Sequence, residues 1–459
     1  MSRRFWSLLL LVGTVCAVAP TAAAQPSAST RPNVLFIAID DLNHWIGHLN
    51  RNPQTITPNV DRLASRGVSF SHAYCAAPAC NPSRAALMSG MRPSTTGVYH
   101  NPDDYRPHIR PDQTLNSYFR DQGYLALGAG KIYHGGGGRL EEWNDYQKRA
   151  KTSPEKPLVK KNFNGIRWAQ LGGEDDSIRD YHTVSYCIEQ LKAEHDQPLF
   201  LACGIFRPHM PWAVPKKYYD MHPLKDIQLP PHIKGDLEDI PSAGVRTAKP
   251  DGDHAAITKN GVWKEAVQAY LASITYADAQ LGRLLDAFDQ SAIADNTVIV
   301  LWGDHGWHLG EKQHWRKFAL WEEATRAPLI WVAPGVTPEG AICERTVDFT
   351  SVYPTLCELA GLEIPEHCDG VSIKKLLRDP KATWDRPALT THGYQRHAVR
   401  SEQYRYIRYD DGSEELYDEQ RDPYEWKNLA TNPDYKDVIK ELAKWMPETE
   451  TPPHPENKR

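Results

Sequence analysis

Cys80-Asn81-Pro82-Ser83-Arg84 brings together a small nucleophile, a helix-starting proline and a permanent cation. Pro82 suits the first turn of a helix, so Cys80 falls where unpaired backbone N–H groups point outward and favour a bound anion. Arg84 adds a forked set of donors suited to a tetrahedral oxyanion. Taken alone, the stretch reads equally well as a helix start with a buried thiol. The remaining polar residues decide between the two.

Those residues follow apolar runs of strand length. The run 34–39 ends in Asp40-Asp41, 124–127 leads to Gly130-Lys131 and His134, 199–205 leads to Arg207-Pro208-His209, and 297–302 leads to Asp304-His305. In open α/β sheets ligands bind outside the carboxyl ends of the strands, so groups distant in sequence can converge there. Asp40, Asp41 and Asp304 are hard oxygen donors that favour calcium or magnesium over zinc. His305 is softer, and either ligates or orients. Lys131 and His134 set a cation beside a titratable imidazole. Gly130-Lys131 is not a phosphate-cradling loop, because Ile132 stands where Ser or Thr is required. Lys317, within Trp315-Arg316-Lys317, is a weak signal by itself. Trp307 and His308 offer either an aromatic wall and polar tip for a sugar ring, or packing beneath the site.

A fifth apolar run covers 329–332, and helical patterns are predicted at 58–66, 115–122, 178–195 and 264–289. Continuous apolar runs suit strands buried on both faces, and their alternation with helices predicts a mainly parallel α/β sheet covered on each side. The segment 208–253 is rich in Pro, Gly, His and charge and reads as a long irregular excursion of the kind that shapes pockets. After Pro387, short alternating segments at 388–391, 398–400, 405–409 and 414–417 precede a helix at 435–445. The organisation expected is a signal peptide over 1–24, a catalytic domain over 31–386, an antiparallel-sheet subdomain over 387–447 and a mobile polar tail over 448–459.

At 459 residues with 41% hydrophobic content, the chain is long enough for a large core. Its net charge of -5 and lack of long Lys/Arg runs exclude nucleic acid as the main partner. Arg3 and Arg4, an apolar run from Phe5 to Ala19 and the small residues Ala22-Ala23-Ala24 form an export signal, too short for a stable membrane span. The mature protein is therefore expected in the periplasm or outside the cell. Setting Cys80 and the leader's Cys16 aside leaves six cysteines, an even number that permits disulfides without requiring them.

Cys80 to Arg84 resembles the C-x-P-S-R signature of type I sulfatases, whose cysteine is oxidised to formylglycine. Met88-Ser89-Gly90-Met91 replaces the usual tail, with arginine delayed to Arg92. Asp40-Asp41-Leu42, Thr57 to Asp61, Pro208 to Pro211, Asp304 to Trp307, Leu309 to Glu311 and Glu415 to Asp418 resemble the iduronate-2-sulfatase branch. The resemblance implies an alkaline-phosphatase-like fold and a calcium-dependent hydrolase of sulfated saccharides, matured by a formylglycine-generating enzyme. It further implies calcium on Asp40, Asp41, Asp304, His305 and the modified Cys80, with Arg84 holding the aldehyde hydrate. Lys131 and Lys317 would neutralise sulfate oxygens, His209 would protonate the leaving oxygen, and His134 would assist sulfate expulsion. The branch implies exo action on a 2-sulfated uronic acid, with sulfated polysaccharide fragments close behind, and Arg207, Lys312 or Arg316 are the nearby cations for its carboxylate. The alternatives are a phosphoester or phosphonate hydrolase of the same superfamily, and a catalytically silent carbohydrate-binding relative.

Overall fold

Alternate residues of the strand Asn33–Ile39 face two different cores, which is why the whole run is apolar. Leu35, Ile37 and Ile39 pack into one cluster with the long helix Trp263–Asp289, while Val34, Phe36 and Ala38 pack into another on the opposite side. The computed structural model describes residues 31–148, 150–152 and 156–453. The leader expected over 1–24 lies outside these residues. Among them, no helix is long and apolar enough to cross a membrane.

The main sheet has eight strands in the order Ala341–Asp348, Val68–Tyr74, Leu329–Val332, Thr297–Gly303, Asn33–Ile39, Leu199–Ile205, Leu125–Gly130 and Asp145–Tyr146. Only Leu329–Val332 runs against its neighbours. All five predicted runs are strands of this sheet. The predicted helices appear as Pro58–Ala64, Leu115–Asp121, Arg179–Lys192 and Trp263–Asp289. The segment 208–253 is more ordered than expected. Its strand Trp212–Pro215 pairs in parallel with Ile166–Leu171, and the helices Lys216–Asp220 and Ser242–Ala248 follow.

The small sheet Ala388–Thr391, His397–Arg400, Tyr404–Arg408, Glu414–Asp418 is antiparallel throughout, with the helix Lys436–Ala443 beside it. It is tied to the turn Glu322–Thr325 by buried charges. Arg405 meets Glu425 at 2.7 Å and Glu419 at 3.1 Å and also bonds Glu322, with Arg400 alongside at 3.5 Å from Glu322. The described part of the tail, 448–453, is anchored where mobility was expected: Glu450 accepts from His397 at 2.9 Å, and Thr451 N donates to the Ser94 carbonyl at 2.8 Å. All seven cysteines among the described residues carry free thiols, so the permitted disulfides do not form here.

Candidate active site

The carboxyl ends of the central strands converge as the sheet topology requires. Asn33–Ile39 delivers Asp40 and Asp41, Thr297–Gly303 delivers Asp304 and His305, Leu125–Gly130 delivers Lys131, and Leu199–Ile205 delivers the loop carrying His209. Val68–Tyr74 leads through five residues of loop to the helix Cys80–Ser89, whose first residue is the candidate nucleophile. Gly130 and Gly204 make the crossing possible. A Cβ on Gly204 would sit 2.4 Å from Lys131 N, and one on Gly130 would sit 2.0 Å from the Gly204 carbonyl oxygen.

Cys80 Sγ, 1% exposed, lies at the centre. Lys317 Nζ is 2.9 Å away, His305 Nε2 3.4 Å, Lys131 Nζ 3.6 Å and Asp41 Oδ1 3.9 Å. His134, an exposed residue, adds to the groups that lower Cys80. Burial raises the thiol, but Lys131, Lys317 and His305 outweigh it and hold Cys80 well below its ordinary range. This position is built for negative charge.

Each acid is matched by a fixed cation. Lys131 donates to Asp40 Oδ2 at 2.5 Å, and Lys317 donates to Asp41 Oδ1 at 2.6 Å. Arg84 donates to Asp40 Oδ1 at 2.9 Å, to Asp304 Oδ2 at 3.0 Å and to the carbonyls of Lys131 and Ile132. Arg84 is thus first a clamp on the two carboxylates. Burial raises Asp40, yet Lys131 and its other cationic neighbours carry it well below the carboxylate range, whereas burial pushes Asp304 up to about 6 against Arg84 and His305. Asp41 takes a left-handed backbone at φ 58° and is pinned by Tyr270, whose hydroxyl donates to its carbonyl at 2.8 Å. Tyr270 gave no signal in sequence beyond its place on a helix.

The donor set fits a hard cation. Ligand atoms of Asp41, Cys80, Asp304 and His305 lie within 4.8 Å of one another, as do those of Asp40, Asp41 and His209. Asp41 Oδ2 is buried with no hydrogen-bond partner. His305 Nδ1 lies 2.9 Å from the Gly306 carbonyl, and its Nε2 is 3.4 and 3.3 Å from Asp41 and Asp304. Burial lowers the ring's affinity for a proton, but Asp304 and Cys80 outweigh it and raise it, and a bound cation would take the place of the Nε2 proton.

His209 Nδ1 lies 2.6 Å from the Met210 carbonyl, and its Nε2 is 3.9 Å from Asp41 Oδ2 with the side chain 28% exposed. Burial lowers its affinity for a proton, but Asp41 and Asp40 outweigh it and raise His209 above its ordinary value. Asp180 holds the loop by accepting from Phe206 N and Arg207 N at 2.8 and 3.0 Å.

Trp307 and His308 are not substrate walls. Trp307 is 1% exposed and packs on Trp212 and Tyr270, while His308, fully buried, meets His314 and Trp321. Of the cations suggested for a carboxylate, Lys312 is buried on Asp236, and Arg207 turns back onto the Ala213 and His209 carbonyls. Arg316 lines a cavity beside Lys317, together with Lys249 and Phe318, which sequence reasoning did not single out.

The sequence model of the sulfatase family matches residues 32–362, and that of the N-sulphoglucosamine sulphohydrolase C-terminal region matches 310–451. A sulfatase of Formosa agariphila is 39% identical, covering 98% of this chain and 92% of that protein. Iduronate 2-sulfatase of Mus musculus is 29% identical over 79% of this chain and 74% of its own length. The solved phosphonate monoester hydrolase of Silicibacter pomeroyi superposes with a TM-score of 0.75 at 20% identity, covering 90% of this chain and 94% of that one, a likeness of fold.

Proposed function

The chain belongs to the sulfatase family and is a sulfuric ester hydrolase, and from that premise we propose an exported, calcium-dependent enzyme that removes sulfate from a 2-sulfated uronic acid at the end of a saccharide chain. The observation that carries the chemistry is the pair of buried ammonium groups, Lys317 and Lys131, at 2.9 and 3.6 Å from Cys80 Sγ. Two fixed cations around one nucleophile neutralise the charge that gathers on sulfate oxygens as sulfur is attacked.

In this reading a formylglycine-generating enzyme oxidises Cys80 to an aldehyde. The hydrate has two hydroxyls, one to attack sulfur and a second to let sulfate depart by C–O cleavage. Calcium on Asp40, Asp41, Asp304, His305 and the modified Cys80 would supply charge at the sulfate oxygens, consistent with a set of mostly hard donors. Arg84 keeps Asp40 and Asp304 in place. His209, whose proton affinity Asp41 and Asp40 raise, gives a proton to the departing sugar oxygen, and His134 takes part in releasing sulfate. Exo action is supported by the burial of Cys80, since the interior of a polymer needs an open groove. The uronic acid is supported by similarity to iduronate 2-sulfatase. Export is supported by the basic and apolar leader.

Parallel assays on a terminal 2-sulfated uronate disaccharide, its 2-phosphate analogue and a phosphonate monoester test this reading. Sulfate release should dominate. Faster turnover of the phosphate or phosphonate ester would move the chain to that other chemistry of the fold.

A further inference from the structure

A cavity of about 560 Å³ opens beside Lys317, lined by Arg246, Lys249, Arg316, Phe318, His392 and Arg396 among others. In a chain of net charge -5, four cations around one space form a local positive field. Three of the four are occupied: Arg316 binds Asp253 at 2.6 Å, Arg396 binds Asp410 at 2.9 Å and Arg246 meets Asp411 at 3.2 Å. The Lys249 side chain makes no hydrogen bond or ion pair among the described residues. Its ammonium is exposed at the end of the helix Ser242–Ala248. His392 stands in this field as a neutral ring: burial first, then His100, Arg396, His314 and Lys249, lower it to about 3. Its buried Nδ1 has no partner.

The cavity is joined to the chemistry by backbone geometry. Arg316 and Phe318 both adopt φ 74°, a left-handed conformation that strains non-glycine residues. The strained pair sends Lys317 inward to Cys80, while Arg316 and Phe318 line the cavity. The exposed Phe318 ring centre is 5.8 Å from Lys317 Nζ, which is itself 2.9 Å from Cys80 Sγ. His314 fixes the arrangement from below, with Nε2 2.8 Å from the Lys317 carbonyl and Nδ1 3.0 Å from that of Ala248, the residue before Lys249. One imidazole therefore spans the backbone of the sulfate-binding lysine and that of the free one.

We propose that this cavity seats the sugar whose sulfate is cleaved, with the ring against Phe318 and a second anionic group of the same saccharide on Lys249. The inference rests on the sulfatase reading above and adds the residues that select the substrate: Lys249 for an anion besides the scissile sulfate, either a carboxylate or a further sulfate, and Phe318 for the ring. An unpaired ammonium is the group that gains most from such an anion, because no existing ion pair has to be broken. Phe318 supplies an apolar face to one side of the ring.

The test uses the matured full-length enzyme and its Lys249→Met, Lys249→Arg and Phe318→Ala variants. Substrates are a 2-sulfated uronate disaccharide, a disulfated glucosamine, a monosulfated neutral hexose and an aryl sulfate. Lys249→Met should lower kcat/KM for the doubly anionic saccharides by about 10- to 100-fold more than for the neutral hexose sulfate, mainly through KM, with substantial recovery in Lys249→Arg. The two doubly anionic substrates separate carboxylate from sulfate as the preferred group. Phe318→Ala should raise KM for all three sugars. Calorimetry of the same saccharides with Cys80→Ala and Cys80→Ala/Lys249→Met reads the cavity without turnover. Equal effects on every substrate, or unchanged affinity in the double variant, would overturn the proposal. Absence of sulfate release from all four substrates by the matured parent enzyme, with Lys249-dependent binding intact, would instead strike at the catalytic reading and leave the cavity standing.

Discussion

Replacing His209 with Ala isolates the proton delivered to the leaving group. Its Nδ1 is fixed on the Met210 carbonyl at 2.6 Å, and Nε2 faces Asp41 at 3.9 Å, within reach of Cys80. Burial lowers its proton affinity, but Asp41 and Asp40 outweigh it and raise it above the ordinary imidazole value, which favours the protonated donor form. Positioned general acids contribute on the order of 10²–10⁴-fold, or about 3 to 5 kcal/mol of barrier. The side chain is 28% exposed, so water can enter the vacated space and deliver part of the proton. The loss for a sugar sulfate should therefore fall nearer 10²-fold than 10⁴-fold. An activated aryl sulfate, whose leaving oxygen needs little protonation, should lose less than about tenfold. The acid form is required, so kcat/KM for the sugar is present below the His209 pKa and falls as pH rises through it. That limb should vanish in the variant. Steady-state kinetics of both substrates across pH supply the data, and equal losses on both, or a basic limb unchanged in His209→Ala, would refute the role.

Metal removal should abolish turnover, calcium should restore it, and the melting temperature should fall, since a ligand at about 100 times its Kd stabilises by about 2.7 kcal/mol. Unaltered turnover and melting after verified chelation would contradict a resident cation. Burial, reinforced by Glu323, pushes Glu311 up to about 8, so between its unfolded value and pH 8 the native state holds a proton the unfolded chain has lost. Stability should fall with rising pH in that window, by up to about 1.4 kcal/mol per unit; Glu311→Gln should flatten the slope in urea titrations, and an identical slope would remove Glu311 as its source. Arg405→Met leaves Glu322, Glu419 and Glu425 without their shared cation and should cost about 3 to 5 kcal/mol in the same assay. A loss below about 1 kcal/mol would mean that other groups hold the small sheet.

The strands that position the chemistry were legible because they are buried on both faces, which forces uninterrupted apolar runs that end where the polar site begins. Val68–Tyr74 escaped notice because Ser71 and His72 break its pattern, and both are only partly buried beside the edge strand. Ala341–Asp348 is that edge, with Glu344 and Arg345 at its register shift, so half of it reads as surface. Asp40, Asp41, Asp304, His305, Lys131 and His209 were found as strand-end groups. Lys317 follows only the two-residue strand Trp315–Arg316 of a minor hairpin and reaches Cys80 through a left-handed turn, which leaves no periodicity to read. Trp307 and His308 misled for the converse reason: they adjoin the acids in sequence, yet the chain turns them into the core. Glu450 and Thr451 hold the described part of the tail through polar contacts to His397, Gln395, Tyr99, Ser94 and Thr95, which composition does not reveal.

The central claim is that a group made from Cys80 attacks sulfur. It is tested most directly by measuring inorganic sulfate released from a terminal 2-sulfated uronate disaccharide against the fraction of protein whose Cys80 peptide carries an aldehyde by mass spectrometry. The two should rise in proportion across preparations matured to different extents, and Cys80→Ala should release none. Full turnover by protein holding only the thiol at position 80, or by Cys80→Ala, would contradict it.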